Sequence, residues 1–155
     1  MKRYLLFFCL VIAGLAACKK SDKFDAEAQA KLDDAQIVKY LSDNNITAVK
    51  DGSGLYYQII TAGSAEKPTT SNGVYLTYEG KLMSNGTVFE TKETPYYFAN
   101  LGSLIQGWQI GVPKIGRGGR VKIFVPSGLA YKDQATGSIP ANAVLIFDIT
   151  LVNFN

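Results

Sequence analysis

The chain has 155 residues, 47% hydrophobic and 12% aromatic with nine Tyr, which suits one packed domain with some extra length. That ring content favours strands and a ring-lined pocket over a helical bundle. The net charge is +3, of which Lys2 and Arg3 contribute two, so a chain cleaved after them carries +1 and gives no electrostatic case for nucleic-acid binding.

Histidine is absent, which excludes His-based triads, His general bases and His metal ligands. Both cysteines, Cys9 and Cys18, lie near the start, so no disulfide, thiol nucleophile or zinc cluster is expected from the folded region. An enzyme built this way needs a reaction with little acid–base or nucleophilic help, and neither metal nor cofactor is expected.

Lys2 and Arg3 open the chain and Tyr4 to Ala17 is almost entirely apolar. The run is short for a membrane span and has the layout of a secretory signal. It ends Leu15-Ala16-Ala17-Cys18, which resembles a bacterial lipobox. Residues 1–17 are therefore expected to be removed. Cys18 is expected to be lipidated and to tether the mature chain to a membrane, each buried CH₂ of the lipid contributing about 0.8 kcal/mol. Lys19 after the cysteine argues against inner-membrane retention. The expected location is the cell envelope, at the outer membrane or periplasmic face.

Residues 19–24 read as a polar linker. From Asp25 to about Leu41 the pattern is helical, with Ala26, Ala30, Ile37, Val38, Tyr40 and Leu41 on one face and Asp33, Asp34 and Lys39 off it. Asn44-Asn45 is the stop. Such a helix either packs on the domain or spaces it from the membrane; the stripe is brief for a coiled coil, and a monomer is expected. Residues 18–53 thus hold the lipidated Cys, the linker and the N-terminal helix, ahead of a domain at 54–155.

Strands are expected at Leu55–Ile60 and at Val74–Leu82, where Val74, Leu76, Tyr78 and Leu82 share a face. Ser84-Asn85-Gly86 is a turn. Short strands follow at Thr87–Glu90 and Tyr96–Ala99, then a short helix at Leu104–Ile110 closed by Gly111 and Pro113. Gly118-Gly119 turns into a strand at Arg120–Val125. The last strand, Val144–Val152, sets Leu145, Phe147, Ile149 and Leu151 on one face. The plan is α+β: an antiparallel sheet with one short helix on its apolar face.

Six motifs then coincide in order. They are Val74-Tyr75-Leu76-Thr77-Tyr78-Glu79-Gly80, Gly86-Thr87-Val88-Phe89-Glu90, Leu104-Ile105-Gln106-Gly107-Trp108, Gly118-Gly119-Arg120-Val121-Lys122-Ile123, Leu129-Ala130-Tyr131, and Ile139-Pro140-Ala141-Asn142-Ala143-Val144-Leu145-Ile146-Phe147-Asp148. Together they resemble the FKBP-type peptidyl-prolyl cis–trans isomerases over about residues 54–154. The resemblance implies a strongly curved antiparallel sheet wrapped around a short helix, here preceded by the N-terminal helix. It implies isomerisation of X-Pro bonds in a dry aromatic pocket, proline-containing polypeptides as clients, and macrolide inhibitors of the FK506 and rapamycin kind as candidate ligands. Carried over by position, the catalytic residues are Tyr78, Phe89, Glu90, Trp108, Tyr131 and Phe147, with Tyr96, Leu104, Ile105 and Ile139 binding substrate. Trp108 is the expected floor, and Tyr78, Phe89, Tyr96 and Phe147 the walls. The Ile139 N–H and the Tyr131 hydroxyl hold substrate carbonyls.

Three positions depart from the family pattern. Glu90 stands where Asp is usual, Tyr96 where Phe is usual, and Lys132 where a Gly follows Leu-Ala-Tyr; the stretch from Phe89 to Tyr96 is also short. These departures leave a rival in play, a non-catalytic, chaperone-like lipoprotein that holds peptides in the same pocket.

Overall fold

The computed structural model describes residues 25–155; the signal-like run, Cys18 and the polar linker lie outside the described residues. The chain begins with helix α1 (Ala26–Asp43), capped by Asp25, whose side chain accepts from the Glu27 and Ala28 N–H groups at 3.1 and 3.0 Å. Strands β1 (Val49–Lys50), β2 (Tyr56–Thr61), β3 (Val74–Leu82) and β4 (Val88–Phe98) follow. Next come helix α2 (Gln106–Gly111) and strands β5 (Gly119–Val125) and β6 (Leu145–Phe154). The six strands form one sheet in the order β1-β2-β5-β6-β3-β4, every pairing antiparallel. The two short strands expected at 87–90 and 96–99 are one continuous strand, β4, because the intervening residues pair with β3 through a register shift between Leu76 and Tyr78. Among the described residues no helix is long and apolar enough to cross a membrane.

Alternation along the strands sends side chains to two different cores. On the concave face, Val74, Leu76, Tyr78 and Leu82 of β3 and Leu145, Phe147, Ile149 and Leu151 of β6 are all buried. Val121, Ile123 and Val125 of β5 complete this face beneath α2. On the opposite face Tyr56, Phe124 and Ile146 point outward, and there α1 lays Ile37 and Leu41 against them. The unbroken apolar runs Ile123-Phe124-Val125 and Leu145-Ile146-Phe147 are therefore those of strands covered on both sides. Burying Ile37 completely contributes about 1.5–3 kcal/mol to that contact.

The packing stripe of α1 differs from its apolar pattern. Ala26, Ala30 and Val38 are exposed, whereas Asp33, expected off the stripe, is buried. Asp33, Ile37 and Leu41 are four residues apart and form one line along the helix. The charge at the first of these positions is tolerated because hydrogen-bond donors of the domain meet it, as described below.

Candidate functional site

The site starts with the approach of α2 to the sheet. A Cβ at Gly107 would lie 2.5 Å from Val125 Cγ1, and one at Gly111 would lie 2.8 Å from Ile123 Cγ2. Two glycines on one side of a six-residue helix let it sit directly on β5 and carry Trp108 over the concave face, where the indole is buried.

Three rings stand edge-on to that indole. Tyr78 lies 4.8 Å away at 82°, Phe147 5.2 Å at 89° and Phe98 5.7 Å at 80°. Phe89 extends the wall, 5.7 Å from Phe147 at 84°. Such T-shaped contacts each add about 0.5–1.5 kcal/mol beyond the area they bury. They also stiffen the arrangement: a flat floor with upright walls. The walls close over Gly80, where a Cβ would come within 2.7 Å of the Phe89 ring and 2.8 Å of Phe147. Gly80 pairs with Glu90 on one side and Phe147 on the other, so the strand between these residues must be bare for their neighbouring rings to fold across it.

The rings enclose a cavity of about 100 Å³ lined by Tyr78, Phe89, Glu90, Phe98, Leu104, Ile105, Trp108, Tyr131 and Phe147. At about 30 Å³ per water molecule, this admits one small ring, the rest of any larger ligand staying outside the cup. Three larger concavities lie elsewhere. One is polar, on the outer face around Arg120 and Asp148, whose charges already pair with each other. The other two lie along α1. Among the described residues no cluster of three or more His, Cys, Asp or Glu side chains is arranged as a metal site.

Polar groups gather at the cavity mouth. Burial, with the Glu90 carboxylate close by, keeps the Tyr78 hydroxyl protonated far above the ordinary tyrosine range. Burial and the same carboxylate push the Tyr131 hydroxyl up as well. Glu90 is about half exposed, with Lys92 Nζ 3.8 Å away. The Tyr131 hydroxyl takes no hydrogen bond from or to any described residue, and neither does the N–H of Ile105 just ahead of α2. The indole N–H of Trp108 is likewise buried without a partner among the described residues. A buried donor left unmet costs about 1–3 kcal/mol.

Eight of the ten residues expected in the pocket line this cavity. Two do not. Tyr96 is 49% exposed; its ring leans on Phe98, 4.9 Å away, with Lys92 Nζ 5.4 Å from its centroid on the other side. The wall expected of Tyr96 is supplied by Phe98, two residues on and on the same side of β4. Period-two spacing puts both on one face; only the path from β4 through the turn at Leu101–Ser103 into α2 brings the second of them over Trp108. Ile139 is buried but outside the lining, and its N–H donates to the Thr136 carbonyl at 2.9 Å while its carbonyl accepts the Thr136 N–H at 2.9 Å in return. That donor is spent on a local turn and is not open to substrate. Lys132 keeps a left-handed backbone, φ 58°, at the position where the resemblance has glycine, so the loop holds its shape at a steric cost.

A curved antiparallel sheet cupping a short helix, with an aromatic cup between them floored by a tryptophan, defines a class of small-ring-binding domains. The FKBP-type peptidyl-prolyl cis-trans isomerase profile matches residues 64–152, and the chain belongs to that family. It is 37% identical over 143 residues to a probable FKBP-type peptidyl-prolyl cis-trans isomerase FkpA of Neisseria meningitidis, covering 86% of this chain and 50% of that protein. The crystal structure of FkpA from Escherichia coli superposes with a TM-score of 0.71 at 30% identity, over 83% of this chain and 62% of that one. A peptidyl-prolyl cis-trans isomerase of Pseudomonas syringae has the same fold, with a TM-score of 0.71 at 24% identity over 86% of this chain and 98% of that one. The chain spans about half the length of the curated relatives it matches.

Proposed function

We propose that the protein catalyses cis–trans isomerisation of X-Pro bonds in polypeptides exported to the cell envelope. One observation carries the reading: the aromatic cup of Tyr78, Phe89, Phe98 and Phe147 over Trp108, sized for one small ring and open at a polar mouth.

The X-Pro amide rotates over a barrier of about 18–20 kcal/mol. Twisting it breaks conjugation and makes the C–N unit less polar than in the planar form. An apolar enclosure therefore disfavours the planar ground state relative to the twisted one, and no nucleophile is needed. Lowering the barrier by about 5–6 kcal/mol gives about 10⁴-fold. In this reading Trp108 supports the prolyl ring and the four other rings exclude water around it. The free Ile105 N–H and the Tyr131 hydroxyl hold flanking carbonyls. Burial first, and the nearby Glu90 carboxylate second, keep the Tyr78 hydroxyl protonated.

Lipidation of Cys18 would tether the domain to a membrane, with residues 18–53 as the lipidated Cys, linker and N-terminal helix, the helix packed on the sheet, and 54–155 as the catalytic unit; the Leu15-Ala16-Ala17-Cys18 run supports this. The clients would then be unfolded or Pro-containing segments, and macrolide inhibitors of the family would compete with them. A non-catalytic peptide holder draws support from Tyr96, about half exposed on β4 beside Phe98 of the cup, as a grip that catalysis does not use.

The deciding experiment is catalysed isomerisation of a Leu-Pro or Phe-Pro tetrapeptide, with and without a macrolide. Macrolide-inhibited acceleration that Phe89→Ala reduces at least tenfold supports the enzyme. A folded protein that binds the peptide without accelerating it leaves the holder.

A further inference from the structure

The family match begins at residue 64, so α1 lies outside it, yet one side chain of α1 reaches the loop that carries Tyr131. Asp33 is 1% exposed and Ser127 is fully buried. One carboxylate oxygen of Asp33 accepts both the N–H and the hydroxyl of Ser127, at 2.7 and 2.6 Å. The other accepts from Gln29 Nε2 at 2.7 Å. A carboxylate this deep is tolerable only with its oxygens met by donors, and two of the three donors come from a single residue 94 positions away.

The Ser127 carbonyl continues the connection. It accepts the N–H of Ala130 at 3.0 Å and the N–H of Lys132 at 2.9 Å, the two residues that flank Tyr131. The Lys132 carbonyl then accepts the Asn142 N–H at 2.7 Å. The backbone on both sides of Tyr131 thus hangs from one carbonyl, and that carbonyl belongs to the residue Asp33 grips.

We infer that Asp33 is a positioning residue for Tyr131: through Ser127 it sets the loop from α1 and so fixes where the Tyr131 hydroxyl stands at the cavity mouth. The inference rests on the reading of Tyr131 as a substrate-holding residue. Mere attachment of α1 does not require this arrangement. Ile37 and Leu41 already fasten the helix to Phe124 and Ile146 by apolar contact, and an apolar residue at position 33 would extend that line without burying a charge. A carboxylate that takes an N–H and an O–H from one residue adds direction that apolar contact lacks. Next to the clamp, a concavity of about 490 Å³ separates α1 from Leu129 and Lys132. Over that stretch hydrogen bonds, and not close packing, join helix to loop.

A double-mutant cycle on the full chain tests this. Asp33→Asn keeps the side chain's shape but sets an NH₂ against a donor. It is expected to lower kcat/KM for a Leu-Pro peptide about 3- to 10-fold when Tyr131 is present and to have no effect in a Tyr131→Ala background. Ser127→Ala, which removes the hydroxyl arm alone, is expected to give a smaller loss that vanishes in the same way, and it carries the test if Asp33→Asn does not fold. Thermal midpoints are read in parallel, since a purely structural clamp would lower them equally in both backgrounds and leave no coupling in kcat/KM. Equal losses of kcat/KM in both backgrounds, or none with Tyr131 present, would overturn the role of Asp33 alone. If Tyr131→Ala by itself leaves kcat/KM intact, the reading of Tyr131 fails, and the inference with it.

Discussion

The ring of Phe98 meets the Trp108 indole edge-on, centroids 5.7 Å apart at 80°, and lies 6.2 Å from Tyr78. Phe98 therefore belongs to the wall of the cup, while Tyr96 stands outside it with its ring about half in solvent. Phe98→Ala is expected to lower kcat/KM at least tenfold, about 1.4 kcal/mol of transition-state stabilisation, by letting water reach the floor. Tyr96→Ala should cost less than threefold. A peptide-isomerisation assay on both variants checks the order, and a larger loss from Tyr96→Ala would place the wall at the wrong residue.

Gly80 is the position where the cup tolerates no side chain. In Gly80→Ala, the new Cβ must displace the Phe89 ring from 2.7 Å and the Phe147 ring from 2.8 Å. Both can yield only into the cavity or against the indole. The expected cost is about 1–3 kcal/mol of stability by urea denaturation. Tetrapeptide turnover should fall further than in a surface control of equal stability loss.

Lys132 holds φ 58° without the freedom of glycine. A left-handed backbone costs a residue with a Cβ about 1–2 kcal/mol, against which glycine loses about 0.5–1 kcal/mol of extra chain entropy. Lys132→Gly is thus expected to raise stability by about 0–1.5 kcal/mol. A clear drop in the denaturation midpoint would mean that the lysine side chain, not the backbone, supports the loop.

Asp148 predicts behaviour in acid. Burial pushes its carboxyl up, but hydrogen bonds from Arg120 at 2.7 and 3.0 Å, together with the charges of Arg120 and Lys122, more than offset this and hold it below the usual aspartate range. A folded-state value below the unfolded one, about 3.9, gives stability that is fully present above that unfolded value. It is lost as pH falls through the folded value. Stability should be level near neutral pH and decline below about pH 4. Asp148→Asn should lower the plateau and flatten the decline in part, Asp34 and Asp51 adding to the same slope. An unchanged acid slope in urea titrations of this variant would remove Asp148 from the account.

Much of this molecule is legible in one dimension. Strict alternation at Val74–Leu82 and Leu145–Leu151 has one reading, since one face of each strand is buried and a slip of one residue would invert it. The glycines of Tyr-x-Gly and Ile-x-Gly-Trp and the single Trp carry the cup, because close backbone approach admits no substitute. The absence of His and the placement of both Cys ahead of the domain exclude imidazole and thiol chemistry from it.

What the tertiary structure alone decided is which of two equivalent positions is used, and which polar group is already taken. Tyr96 and Phe98 share a face of β4, and periodicity cannot rank them; the chain's path into α2 puts Phe98 over Trp108. Ile139 and Ile105 both offer an N–H, and only the fold reveals that Thr136 has taken the first. Asp33 reads as a solvent-facing helix acid because helical patterning scores hydrophobicity, and its partner Ser127 lies 94 residues away. Local sequence sets the periodicity of each element. The matching of a buried carboxylate to its donors arises only once the elements are packed together.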